Sequence, residues 1–162
     1  MALFPLINAE HFGGDPRTLG LFLTAIGAGG VVASVLSGSF TSRSQPGLVM
    51  ILGSVGWGTA LALAGVTPGA GPTLALIAVA GAADTIAVVS RSTIIQMNTP
   101  SGLLGRVAAA EQIVGSAGPQ VGSLRAGVVA DLTSARFALV SGGLLCVAAV
   151  ALVAAISRRQ DR

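Results

Sequence analysis

Residues 137–156 read FALVSGGLLCVAAVALVAAI, twenty positions without one charged side chain. At about 1.5 Å per residue a helix of that length covers roughly 30 Å, the hydrocarbon thickness of a bilayer. Residues 19–41 and 47–67 have the same character. Two further apolar stretches carry charges inside them. Residues 72–95 contain Asp84 and Arg91, and residues 107–132 contain Glu111 and Arg125. The pattern predicts an all-α integral membrane fold in one unit, residues 1–162, with five transmembrane helices plus a partial one. The partial one is Met1–Ile7, apolar but too short to span and without the basic flank of a signal peptide. It reads as the tail end of a helix whose beginning lies outside the chain.

Composition supports this reading. Of 162 residues, 52% are hydrophobic and 9% charged, and the mean hydropathy is +0.84. Soluble domains carry about 25% charge, so fifteen charged side chains cannot cover a water-facing surface. The 23 glycines follow no collagen period, and such hydrophobicity excludes disorder. The net charge of +3 comes from nine arginines scattered along an apolar chain, which form no nucleic-acid-binding stripe. A single cysteine, Cys146, and a single histidine, His11, supply neither a metal set nor a nucleophile–base pair. An enzyme, a cofactor and a metal are therefore not expected.

The connections carry turn chemistry: Gly13–Gly14–Asp15–Pro16, Ser44–Gln45–Pro46–Gly47, residues 67–72, residues 98–102 and Thr133–Ser134–Ala135. Their shortness predicts antiparallel neighbours. Alternating them with the C-terminus inside places Arg43, Arg106, Arg158, Arg159 and Arg162 on one face and Arg17 and Arg136 on the other. The positive-inside rule then puts the C-terminus in the cytoplasm.

Charges within a bilayer are costly and usually face a cavity or a partner. Asp84 falls midway along its span. Arg91, seven residues on, shares its helix face about 10 Å deeper. Glu111 lies at the depth of Arg91 on the next, antiparallel span, so an Arg91–Glu111 pair is expected. Asp84 has no partner at its depth and is a candidate proton carrier; hydrogen bonding to a nearby Ser or Thr without titration is the plainer alternative. Arg125 either attracts an anionic substrate or reaches to the interface. Gly30, Ser34 and Gly38, and again Ser54 and Gly58, have the small-residue spacing of close helix packing. Gly118 and Pro119, with Gly122, predict a bend in the fourth full span, of the kind that lines transport pathways.

The stretch RSTIIQMNTP (residues 91–100), followed by Gly105–Arg106, is similar to the loop between helices 10 and 11 of a major facilitator superfamily transporter, in the enterobactin-exporter-like branch. Pro100, Gly105 and Arg106 carry that cytoplasmic loop motif. Residues 36–43 resemble the loop signature between helices 8 and 9 without its acidic residue, and residues 118–122 look like the core of the antiporter motif. The resemblance implies the C-terminal half of such a transporter, from the end of helix 7 to helix 12. It also implies the bacterial inner membrane, a missing N-terminal six-helix half as partner, and proton-coupled efflux of a small molecule such as a siderophore or hydrophobic drug. A truncated, non-transporting membrane fragment or structural helix bundle is the other expectation.

Overall fold

Caps, more than apolarity, decide where the helices begin. Gly13 and Gly14 have φ of 70° and 72°, a left-handed turn that glycine adopts without strain. Asp15 follows as an N-cap, its Oδ1 accepting the Arg17 N–H at 3.0 Å, with Pro16 at the first helical position. The computed structural model describes residues 3–38 and 45–160, with side chains described through residue 156, His11 apart. Its helices are α1 (Leu3–His11), α2 (Pro16–Val35), α3 (Pro46–Val66), α4 (Ala70–Asn98), α5 (Leu104–Leu132) and α6 (Ala135–Gln160). A single 3-10 turn, Ser101–Leu103, precedes α5. Among the described residues there is no strand.

Four of these helices are long and apolar enough to cross a membrane: α2, α3, α4 and α6. The chain is thus a multi-pass membrane protein. α5 matches α4 in length, at 29 residues. It interrupts its apolar side chains with Glu111, Gln112, Gln120 and Arg125, and it falls outside those four. Of the stretch expected over residues 19–41, residues 19–35 fall in α2, and residues 39–41 lie outside the described residues. The Asp15–Pro16 cap starts α2 three residues earlier, and the helix closes at Val35, with Leu36 as C-cap. Arg43 and the arginine side chains at 158, 159 and 162, used to orient the chain, lie outside the described residues. Arg17 and Arg136 lie at the end of the bundle that holds Gly13, and Arg106 lies at the opposite end, that of Pro100.

The helices pack in the order α2–α4–α3–α6–α5, and α1 touches α2, α5 and α6. Glycines permit the closest crossings. A Cβ on Gly29 would collide with the Ala78 carbonyl, and one on Gly81 with that of Ile26, so the α2 and α4 backbones meet directly. α3 and α6 do the same at Gly58, whose Cβ would lie 2.8 Å from the Gly143 carbonyl oxygen. The contact face of α2 is therefore Phe22, Gly29 and Ala33. The expected Gly30–Ser34–Gly38 stripe is turned away: Gly30 flanks the crossing, whereas Ser34 and Gly38 are exposed. The Ser54–Gly58 stripe is half used, through Gly58.

The apolar core sits at the Gly13 end. Leu3, Phe4 and Ile7 of α1 pack there with Phe22, Ile77 and Leu139. Phe22 is fully buried, with the Phe12 ring edge-on at 5.6 Å. The Glu10 carboxylate accepts the Ala135 N–H, at 3.2 Å for Oε2, and so fastens α1 to the start of α6. No comparable apolar cluster closes the Pro100 end among the described residues.

Candidate functional site

One face of α4 changes character along its length. Thr73 and Ile77 are buried at the Gly13 end. Further along the same face Asp84, Val88 and Arg91 are exposed or half exposed, at the i, i+4, i+7 spacing that aligns side chains. The loop after α4 then reverses the chain tightly. Thr99 Oγ1 donates to the Ile95 carbonyl at 2.6 Å, and Leu103 N–H to the Pro100 carbonyl at 2.9 Å. α5 therefore runs back antiparallel, and equal numbers of turns bring Arg91 and Glu111 level.

Arg91 Nε donates to Glu111 Oε1 at 3.1 Å, and Ser92 Oγ donates to the same oxygen at 3.1 Å. α4 and α5 are not otherwise packed backbone to backbone over any length, so these side chains bridge a gap. The Arg91 side chain is 44% exposed and that of Glu111 20%. In water a pair so exposed contributes about 0–1 kcal/mol. Within hydrocarbon, loss of one partner strands a charge, at about 3–5 kcal/mol. The membrane decides which regime applies.

Asp84 makes no hydrogen bond among the described residues. Arg125 is not brought to this site. Its Nη2 donates to Ser141 Oγ at 2.9 Å, and its Nη1 lies 3.3 Å from where a Gly142 Cβ would be, so it ties α5 to α6. Pro119 lies inside α5. Lacking an N–H, it leaves the Gly115 carbonyl without its helical donor. Gly118 and Gly122 face open space. Pro100 leads into the 3-10 turn, and Gly105 and Arg106 are exposed in the first turn of α5, apart from the charged cluster. Sequence reasoning overlooked Ser92, whose adjacency to Arg91 was its only signal, and the Glu10–Ala135 fastening. Among the described residues no three His, Cys, Asp or Glu side chains converge. The arrangement is one of charge pairing between α4 and α5, with Asp84 exposed on the same face of α4.

Residues 1–161 match the family model described as transmembrane secretion effector. The chain belongs to this family of major facilitators. Two curated members of similar sequence are the enterobactin exporter EntS of Shigella flexneri and that of Escherichia coli O139:H28. The first is 26% identical over 164 residues, covering 100% of this chain and 40% of the relative. The second is 26% identical over 162 residues, covering 99% of this chain and 39% of the relative. This secretion-effector chain thus spans about two fifths of the length of those relatives. No solved structure matches it significantly. Membership in a transporter family accords with the four helices long and apolar enough to cross a membrane.

Proposed function

We propose that this chain is the C-terminal half of a proton-coupled exporter of a small molecule in the bacterial inner membrane, with its C-terminus cytoplasmic. The observation that carries the reading is the Asp84–Arg91 face of α4, turned toward Glu111 of α5 in a bundle otherwise nearly free of interior charge. In this reading α5 is a fifth span, admitted because its polar side chains face a cavity rather than lipid, and α1 is the end of a further one. Asp84 carries the proton. The Arg91–Glu111 pair holds the Pro100 end of α4 to α5 and is remade as the chain rocks against an N-terminal six-helix half. The bend at Gly118, Pro119 and Gly122 lets α5 follow that motion. Pro100, Gly105 and Arg106 form the cytoplasmic turn. A siderophore is the favoured substrate class, because the relatives are enterobactin exporters, with hydrophobic drugs next.

The test is efflux from membrane vesicles containing the complete transporter. Asp84→Asn should abolish gradient-driven efflux at undiminished expression, and wild-type efflux by that variant would remove the proton role. The second reading is a non-transporting fragment. It is favoured by the apolar side chains of α5 that stay exposed among the described residues, among them Ile113, Val114, Val121 and Leu124. Co-expression with a six-helix N-terminal half separates the two, since restored efflux supports transport.

A further inference from the structure

Arg91 is only half used by its partners. Its Nε is engaged by Glu111 Oε1 at 3.1 Å, and Ser92 holds that same oxygen in place. Its Nη2 lies 3.6 Å from where a Gly115 Cβ would be, so the Nε–Nη2 side of the guanidinium rests on α5 at a position that has no side chain. Neither Nη makes a hydrogen bond among the described residues, and 44% of the side chain remains exposed. A guanidinium fixed at Nε presents the outer Nη1–Nη2 edge as a preoriented fork, the geometry that matches two oxygens of one anionic group. Asp84, about 10 Å along the same face, lies too far away to fill that edge.

We propose that the free Nη1–Nη2 edge of Arg91 is an anion-binding site, taking the paired oxygens of a carboxylate-class group on a small ligand. Glu111 and Ser92 are its positioning residues, and Gly115 keeps room beside Nη2. This deepens the transport reading, on which it rests, by naming the head group the substrate presents. Binding at equilibrium requires no proton gradient, however, so its failure is separable from failure of proton coupling.

The experiment is titration of the 162-residue chain in phosphatidylcholine nanodiscs with benzoate, followed by ligand-observed NMR. Benzoate is expected to bind saturably, and benzylamine not to bind. Arg91→Lys keeps the charge and its attraction to Glu111 but loses the fork, so benzoate affinity should fall by about tenfold or more. Gly115→Leu keeps every charge and fills the space beside Nη2, and should weaken binding comparably. Helicity and thermal midpoint by circular dichroism establish that both variants remain folded. Arg17→Lys, at the far end of the bundle, should bind as the wild type does. Absence of saturable binding, or undiminished affinity in folded Arg91→Lys, overturns the proposal. Loss of benzoate binding when phosphatidylglycerol is added to the discs assigns the edge to a lipid headgroup and overturns the small-ligand reading. Persistence of binding in those discs supports it.

Discussion

Arg91 of α4 and Glu111 of α5 are twenty residues apart in sequence and 3.1 Å apart in space, joined across a gap the two backbones leave open. Ser92 reinforces the contact from the next position on α4. If the gap is lined by the membrane interior, Glu111→Ala should lower the unfolding free energy by about 3–5 kcal/mol; if water fills it, the loss should be about 0–1 kcal/mol. The transport reading expects an intermediate loss that shrinks as salt is raised. Exchanging the residues, Arg91→Glu with Glu111→Arg, should recover most of what either single change loses. A double-mutant cycle by thermal unfolding in nanodiscs measures this, and no recovery in the exchanged variant would contradict direct pairing.

Close backbone approach makes a second, sharply position-dependent expectation. Gly81→Ala and Gly143→Ala place a methyl group against a carbonyl of the facing helix, and overpacking of this kind costs about 1–3 kcal/mol or more. Gly27→Ala, on the same helix as Gly29, meets nothing within 4 Å and should stabilise by about 0.5–1 kcal/mol through helix propensity. Thermal midpoints of the three variants should therefore fall on both sides of the wild type.

Much of this arrangement was legible beforehand, and the gaps have physical causes. Uncharged apolar runs marked α2, α3 and α6 because nothing but a helix satisfies its backbone in lipid over that length. Depth counted from a tight turn was enough to pair Arg91 with Glu111. The packing face of α2 was not legible. A helix that is apolar all round has no polar side to orient it, so Gly30–Ser34–Gly38 and Gly29–Ala33 are equivalent on paper, and the carbonyls of Ile26 and Ala78 decide between them. Helix ends were shifted by caps, at Asp15 and at Ser134, whose Oγ accepts the Phe137 N–H at 3.2 Å. The Arg125–Ser141 bond was not legible either, because nothing in the sequence marks which hydroxyl of a neighbouring helix a guanidinium will meet.

That hydroxyl gives a third expectation. Ser141→Ala leaves the Arg125 Nη2 without its acceptor while the charge stays between α5 and α6, which costs about 1.5–3 kcal/mol for a bond to a charged group. Removing both members, as Arg125→Met with Ser141→Ala, takes away the stranded charge too and should be less destabilising than Ser141→Ala alone. Thermal unfolding of the single and double variants checks the order, and a double variant worse than the single one would show that Arg125 has another role.

The proline inside α5 yields the last expectation. Pro119 denies the Gly115 carbonyl its helical donor, and a Cβ on Gly118 or Gly122 beside it would meet nothing within 4 Å among the described residues. The half of α5 beyond them is held to α6 through Arg125 and through Ala130 in the apolar core. The half before them is held at Glu111. Bending should therefore concentrate between the two tethers. Pro119→Ala restores the missing donor and should stabilise the chain by as much as about 3 kcal/mol, with slower amide exchange over residues 116–122. In the complete transporter the same change should slow efflux, because a helix straightened between two fixed points cannot follow the rocking of the halves. Unchanged exchange together with unchanged efflux would mean that the proline marks a static kink, and that motion at the Pro100 end runs through the Arg91–Glu111 contact alone.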